Sequence, residues 1–165
     1  MKVPIAKCLL TDEDILSVRE PLESGWLVQG PKVKEFEEQW SNFTGSKHSI
    51  ATTSCTSALY LSLHALGFKE GDEAIVPAFT WISTANVVEH LGGKVIFCDI
   101  KLDDYNIDVE KIEKLITNKT KAILPVHYAG RPCNMKEILN IAKENNLFVI
   151  EDCAHAIETE YQNKK

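Results

Sequence analysis

Short apolar runs alternate with segments of helical periodicity from residue 47 to the end of the sequence, and this alternation constrains the fold more than any other feature. Five such runs predict strands, and the four segments between them predict helices. The runs span residues 49–51, 74–76, 95–98, 122–124 and 147–150, and the helical segments lie near 56–66, 80–91, 108–117 and 134–145. Strands interleaved with helices predict an α/β fold, with a mostly parallel sheet and helices on both faces.

Two further helical segments precede this region. Thr11 opens the first with the spacing of a capping box, and we expect Pro21 to interrupt it. Pro31 suits the first turn of the second helix, and Gly45 lies just past its end. The sequence therefore predicts an N-terminal arm and packing helix over residues 1–46, followed by the α/β region over 47–165.

Composition excludes several classes of protein. The chain has 165 residues, 44% of them hydrophobic, and its net charge of −6 argues against nucleic-acid binding. No apolar run approaches the roughly 20 residues of a membrane span, and the start does not resemble a secretory signal. The five cysteines are widely spaced without a C-x-x-C pair. They predict reduced thiols, buried as small apolar residues in a cytoplasmic protein, with no metal site.

A hydroxyl-rich segment follows the first predicted strand, at the sheet edge where α/β proteins bind their ligands. This segment, Thr52-Thr-Ser-Cys-Thr-Ser57, precedes a helix, so backbone N–H groups and hydroxyls can together hold a phosphate. The alternative is a plain cap of the helix that starts near Thr56. The sequence has no G-x-G-x-x-G or Walker pattern, which makes a dinucleotide or a nucleoside triphosphate a poor candidate ligand.

Three other side chains are expected at the same edge. Asp152 ends an apolar strand, where a carboxylate needs a positive or N–H partner; the alternatives are a helix cap and an internal ion pair. Trp81 lies one turn into its predicted helix and can stack on a flat ring, unless it belongs to the core. His155 is close enough to Asp152 to reach the same ligand, or it is a surface or capping residue. A phosphate site, a ring platform and a carboxylate for a ring nitrogen match the three parts of pyridoxal phosphate (PLP).

Several motifs in order resemble the DegT/DnrJ/EryC1/StrS family of PLP-dependent sugar aminotransferases, from about residue 10 to the end. The motifs are Gly25-Trp-Leu-Val-Gln-Gly30, Thr56-Ser-Ala-Leu59, Gly71-Asp-Glu-Ala-Ile-Val-Pro77, Pro125-Val-His127 and Glu151-Asp-Cys-Ala-His-Ala156. The resemblance implies the large domain of fold-type-I PLP-dependent transferases. It also implies an amino acid donor, usually glutamate, a nucleotide-linked keto sugar as acceptor, a role in polysaccharide or glycan biosynthesis, and a homodimer.

The resemblance also implies roles for single residues. Thr56 and Ser57 correspond to the phosphate-binding pair, and Trp81 to the residue stacked on the pyridine ring. Asp152 corresponds to the partner of the pyridinium nitrogen. His155 matches a Gln-or-His position beside the cofactor and its phenolic oxygen.

Two further positions, Trp26 and His127, fall in family motifs near the substrate side. They are predicted to be substrate residues.

The family's catalytic lysine is missing from the sequence. In the family a lysine holds the cofactor as a Schiff base and follows the Asp-x-x-His motif in a Phe-Ser-Phe segment. Lys47, Lys94 and Lys121 precede their predicted strands, at the opposite edge of the sheet, and Lys164 and Lys165 form a polar end. We therefore expect the lysine beyond Lys165, no catalytic residue among residues 1–165 and no small C-terminal domain.

The chain is accordingly predicted to be an inactive fragment of a longer aminotransferase, poorly soluble or dependent on association. One alternative is a sugar dehydratase of the same family, in which a histidine replaces the lysine. Another is a non-catalytic α/β module that binds a phosphorylated ligand.

Overall fold

A computed structural model describes residues 8–165, whose contacts form two compact units, one ending at Ala51 and one spanning Thr52–Lys165. The first unit contains three helices: α1 (Asp12–Ser17), α2 (Arg19–Ser24) and α3 (Pro31–Thr44). The predicted capping box of α1 is present: the Thr11 hydroxyl accepts from the Asp14 N–H (3.2 Å), and the Asp14 carboxylate accepts from the Thr11 N–H (2.7 Å). Helix α3 begins at Pro31 and ends at Thr44, with Gly45 just past its end, as predicted.

The break between α1 and α2 lies at Val18, so the expected interruption at Pro21 is wrong. Pro21 is the third residue of α2. An N–H in the first turn of a helix has no acceptor within that helix, so a residue without one is tolerated there. Helix α2 instead ends at Ser24, and the next residue, Gly25, takes the left-handed conformation (φ 71°) that glycine adopts readily.

The second unit is an α/β sheet, which confirms the predicted fold class. Its elements, in chain order, are α4 (Cys55–Ala65), β1 (Glu73–Pro77), α5 (Ile82–His90), β2 (Lys94–Cys98), α6 (Val109–Ile112), β3 (Thr120–Ile123), α7 (Met135–Glu144) and β4 (Phe148–Val149). Short 3-10 turns follow α6 and precede α7, at Glu113–Leu115 and Tyr128–Gly130. The strand order is β2-β1-β3-β4, and all pairings are parallel.

Two apolar cores lie on opposite faces of this sheet. Successive residues of β1 point to opposite faces, so Ala74 and Val76 join one core and Ile75 joins the other. The first core includes α4 and α5, and the second includes α6 and α7. Helices therefore cover both faces, as predicted, and each fully buried Leu or Ile side chain contributes about 1.5–3 kcal/mol of transfer free energy. Because the strands are parallel, the carboxyl ends of all four lie at the same edge of the sheet.

The first predicted strand, residues 49–51, is not a strand in the structure. The N–H of Ala51 donates to the Glu37 carboxylate (2.8 Å) instead of a strand carbonyl, and the Ile50 side chain is 81% exposed. A three-residue segment without a neighbouring strand cannot form a ladder. Among residues 8–165 the sheet therefore has four strands, and each overlaps a predicted run.

The five cysteines are all free thiols, but only Cys98 and Cys133 are buried; the buried interpretation is wrong for Cys8, Cys55 and Cys153. Within residues 8–165, none of the helices combines the length and the apolar character that crossing a bilayer requires.

Candidate functional site

The amino end of α4 carries a cluster of hydroxyl groups. Ser54 caps the helix by accepting from the Ser57 N–H (3.1 Å). The Ser57 hydroxyl lies 2.9 Å from that of Ser54 and 3.1 Å from that of Thr53. Because Ser54 performs the capping, the hydroxyls of Thr56 and Ser57 are not needed for it. The helix thus begins one residue before the predicted start, with hydroxyl donors beside the positive end of its dipole.

Helix α5 begins next to α4, and a side-chain hydrogen bond connects their first turns. The Thr56 hydroxyl donates to the Ser83 hydroxyl (2.9 Å). Ser83 is the second residue of α5. This bond holds the predicted phosphate-binding end of α4 against the helix that carries Trp81.

Trp81 is the N-cap residue of α5, so its predicted place one turn inside the helix is wrong. The residue has an extended backbone (ψ 139°). Its side chain is 77% exposed, which excludes the core interpretation. The indole lies free at the start of α5, and a ring platform for a planar ligand requires such a surface.

Asp152 lies just beyond β4, where the pairing of β3 with β4 continues past the regular ladder. Its N–H donates to the Pro125 carbonyl (2.9 Å), and its carbonyl accepts from the His127 N–H (3.2 Å). These bonds fix the backbone of Asp152 at the edge of the sheet where the strands have their carboxyl ends. The residue is 5% exposed.

The Asp152 carboxylate accepts hydrogen bonds from two helices and from its own loop. The Thr84 hydroxyl donates to Oδ2 (2.9 Å). The Cys55 thiol (3.6 Å) and the Ala154 N–H (3.1 Å) donate to Oδ1. Partial burial, the negative charge of Asp152 and the hydrogen bond to it together raise the pKa of the Cys55 thiol to about 11. Cys55 is therefore a protonated donor at neutral pH.

These contacts leave Asp152 able to bind a cationic group. All three donors are neutral, so they satisfy its lone pairs without compensating its charge, and they lend no support to an internal ion pair. A buried carboxylate is stabilised further by a positive N–H. A protonated heterocyclic nitrogen is such a group, and in this respect the site fits the pyridine ring of PLP.

His155 is exposed, and its ring lies 6.1 Å from that of Tyr128 in an edge-on arrangement. Tyr128 in turn packs against Phe79 (4.9 Å between ring centroids) and Tyr105 (5.9 Å). The strands β1, β2 and β3 precede Phe79, Tyr105 and Tyr128 respectively. His155 thus belongs to an aromatic cluster at the same edge.

His127 is buried, and both of its ring nitrogens have partners. Nδ1 accepts from the Cys133 N–H (3.1 Å), so Nε2 carries the proton of the neutral ring and donates to the Glu151 carboxylate (2.9 Å). The His127–Glu151 pair connects the loops that follow β3 and β4.

Trp26 lies in the first unit, where its indole N–H donates to the Gln29 carbonyl (3.1 Å).

The structure thus brings together Thr56, Ser57, Trp81 and Asp152 through the first turns of α4 and α5. Sequence reasoning missed Thr84, although it lies three residues after Trp81 and therefore on the same side of α5. It also missed the contact of Cys55 with Asp152, which joins residues 97 positions apart in the chain.

The chain matches a family model and named relatives along nearly its whole length. The model of the DegT/DnrJ/EryC1/StrS aminotransferase family matches residues 9–165. Spore coat polysaccharide biosynthesis protein SpsC of Bacillus subtilis is 46% identical, and UDP-4-amino-4-deoxy-L-arabinose–oxoglutarate aminotransferase of Shewanella sediminis is 41% identical. These alignments cover 98% and 97% of this chain but 42% and 41% of those proteins. The chain therefore spans about two fifths of the length of these relatives.

Solved structures with the same fold include an aminotransferase from Psychrobacter cryohalolentis, with a TM-score of 0.91 and 35% identity over 95% of this chain and 40% of that chain. They also include GDP-4-keto-6-deoxymannose-3-dehydratase with a trapped PLP-glutamate geminal diamine. Its TM-score is 0.93, with 32% identity over 99% of this chain and 44% of that chain. A family model that spans nearly the whole sequence, together with these shared folds, establishes that the chain belongs to the DegT/DnrJ/EryC1/StrS aminotransferase family.

Proposed function

We propose that this chain forms part of the PLP site of an aminotransferase that moves an amino group from an amino acid, glutamate, to a nucleotide-linked keto sugar. The name of SpsC, and that of the aminotransferase acting on an amino-arabinose nucleotide, support a role in the biosynthesis of a polysaccharide or related glycan. The observation that carries the proposal is the pair of hydrogen bonds at the start of α5, from Thr56 to Ser83 and from Thr84 to Asp152.

Each side chain at this edge has a distinct task in the proposal. Thr56 and Ser57, with the first N–H groups of α4, bind the phosphate. Trp81 covers one face of the pyridine ring. Asp152 accepts a hydrogen bond from the protonated ring nitrogen and keeps the proton there. His155 contacts the ring from the side of its phenolic oxygen.

Bound PLP supplies an electron sink for the substrate carbon that loses its proton. The described residues bind and orient the ring and hold a proton at its nitrogen, because the Asp152 carboxylate favours the protonated form of a neighbouring base.

The other assignments extend the proposal to the whole protein. Trp26 and His127 are proposed to lie on the substrate side. For His127 this would require a change of partner, since both of its nitrogens are already engaged. The protein is proposed to act as a homodimer. The five free cysteines support a place in the cytoplasm, where thiols stay reduced.

A second candidate is a PLP-dependent sugar dehydratase. The shared fold and 32% identity with GDP-4-keto-6-deoxymannose-3-dehydratase support this candidate. The two reactions share the cofactor and differ in the residue that reacts with it, lysine or histidine. The coding sequence immediately after Lys165 distinguishes them: a lysine behind a Phe-Ser-Phe segment supports the aminotransferase.

Titration with PLP tests the proposed site directly. We expect Asp152→Ala to weaken PLP binding by about tenfold or more, because a charge-assisted hydrogen bond contributes about 1.5–3 kcal/mol. Quenching of tryptophan fluorescence, to which exposed Trp81 contributes, measures the dissociation constant. Asp103→Ala, which removes an exposed carboxylate from the same unit, serves as the control and should leave the affinity unchanged. Equal affinity of Asp152→Ala and the wild type would favour a non-catalytic α/β module.

A further inference from the structure

We propose that Thr84 is a positioning residue that holds the Asp152 carboxylate in the orientation needed to receive a cationic ring nitrogen. The inference rests on the proposed function, because it concerns the same carboxylate. It adds a residue that lies outside every motif used to recognise the family.

The contacts of Thr84 leave its hydroxyl one arrangement. Thr84 is fully buried, and its Oγ1 lies 2.9 Å from Asp152 Oδ2 and 2.9 Å from the Thr80 hydroxyl. An ionised carboxylate only accepts, so Thr84 donates its single proton to Asp152. Thr84 can then accept from Thr80, which gives a chain of two hydroxyls that ends on the carboxylate. Each bond in such a chain polarises the next in the same direction.

The two oxygens of Asp152 are held from different sides. Oδ1 receives the Cys55 thiol of α4 and the N–H of Ala154, and Oδ2 receives Thr84 of α5. Rotation of the carboxylate would break bonds at both oxygens. Thr84 is the sole side chain among residues 8–165 with a hydrogen bond to Oδ2, so its loss would free that side of the carboxylate.

Thr84 also ties the carboxylate to the ring platform. Trp81 is the N-cap residue of α5, and the Thr84 N–H donates to its carbonyl (3.1 Å). One turn of backbone therefore carries both the indole and the hydroxyl that orients Asp152. The hydroxyl of a threonine in a helix commonly bonds to a carbonyl of the preceding turn. In Thr84 it reaches across the edge of the sheet to a residue 68 positions away.

The test compares two ligands in three variants of the full 165-residue chain. PLP has the ring nitrogen, and 1-deaza-PLP has a carbon in its place with the phosphate unchanged. Thr84→Val keeps the shape of the side chain without its hydroxyl, Thr84→Ser restores the hydroxyl, and Asp152→Asn removes the charge. Fluorescence quenching measures the affinity of each protein for each ligand, and thermal unfolding confirms the fold.

We expect Thr84→Val to weaken PLP binding about fivefold to tenfold and to leave binding of the deaza analogue unchanged, with recovery in Thr84→Ser. Equal loss for both ligands would overturn the inference, because it would mark Thr84 as a purely structural residue. If Asp152→Asn weakens PLP alone and Thr84→Val weakens neither ligand, the inference fails and the proposed function stands.

If neither the wild type nor Asp152→Asn distinguishes the ligands, the proposed function fails. Crystal structures of the ligand-free variants then decide the positioning role separately. A carboxylate displaced in Thr84→Val and restored in Thr84→Ser supports it, and an unmoved carboxylate contradicts it.

Discussion

At the scale of single residues, the candidate site depends on the buried carboxylate of Asp152, which accepts hydrogen bonds from neutral groups. The donors to Asp152 come from α4, α5 and its own loop. Its charge also acts on its neighbours: burial, followed by the charges of Glu151 and Asp152, raises the pKa of the Cys153 thiol to about 12. Both thiols, which are partly buried within residues that are exposed as a whole, therefore stay protonated, and Cys55 serves as a donor instead of a nucleophile.

This arrangement predicts that the reactivity of Cys55 depends on Asp152. The pKa of Cys55 is raised from 9.0 to about 11, so its stabilising contribution is complete below pH 9 and is lost as the pH rises through about 11. Asp152→Asn removes the carboxylate charge and replaces one of its two acceptor oxygens with an NH2 group. The thiolate fraction, and with it alkylation by iodoacetamide at pH 8, should rise about tenfold for each pH unit by which the pKa falls.

Mass spectrometry of labelled peptides measures this change and supplies an internal control. Burial and the charges of Asp108 and Asp99 raise the pKa of Cys98 to about 11, without a contribution from Asp152. Labelling of Cys98 should therefore not change in Asp152→Asn. An unchanged rate at Cys55 would contradict the contribution of the Asp152 charge to the raised pKa of this thiol.

The sequence predicted the proposed site residues, which stay a prediction, but not their hydrogen-bond partners. Residue types and strand ends selected the segment 52–57, Trp81 and Asp152, and the family resemblance singled out Thr56 and Ser57 within that segment. Thr84 and Cys55 were missed because their contacts with Asp152 depend on how α4 and α5 pack beside β4. Packing of elements that are distant in the chain cannot be read from local spacing.

At the scale of elements, the sequence predicted the helices and strands of the second unit to within a few residues. The errors have separate causes. Residues 49–51 have no neighbouring strand, and Pro21 is tolerated because first-turn N–H groups need no acceptor within the helix. Trp81 fits a helical pattern, yet its extended backbone makes it the N-cap.

The loops beyond β2 and β3 offer a test at this scale. Asn106 is buried, and its amide donates to the carbonyls of Arg131 (3.2 Å) and Pro132 (3.3 Å) and accepts from the Tyr128 N–H (3.1 Å). These bonds connect the loop that carries Tyr105 to the loop that carries Tyr128. Asn106→Ala should lower the free energy of unfolding by about 1–3 kcal/mol, because it leaves buried polar groups without partners.

Hydrogen exchange at the Tyr128 amide distinguishes the acceptor role of the Asn106 side chain from its donor role. Asn106→Asp retains the acceptor for that amide and removes the two donors. We therefore expect fast exchange of the Tyr128 amide in Asn106→Ala and slow exchange in Asn106→Asp, although both variants lose stability. Slow exchange in both variants would show that the side chain does not hold this loop.

At the scale of the whole molecule, the two units differ in how they bury apolar surface. The second unit has a core on each face of its sheet. In the first unit none of the described residues, 8–51, is buried, although α3 presents a row of rings, with Phe36 5.9 Å from Trp40 and Trp40 5.8 Å from Phe43. A helix with an apolar face and no core of its own gains stability only by packing against other surfaces.

One edge of the sheet in the second unit is also open. Among residues 8–165, β2 pairs only with β1, so its outer row of backbone groups is unpaired, and the side chain of Phe97 on this strand is 57% exposed. An open edge with an exposed aromatic residue favours association between chains. We therefore expect the isolated chain to sediment as oligomers, and Phe97→Lys to shift it towards monomer, because a charge on an edge strand opposes edge-to-edge pairing.

Leu102→Lys is the control for this prediction. It introduces the same charge at an exposed apolar residue outside the strands and should leave the sedimentation profile unchanged. A wild-type chain that sediments as a single monomeric species and unfolds cooperatively would contradict this prediction, since the exposed edge would then be stable in water by itself.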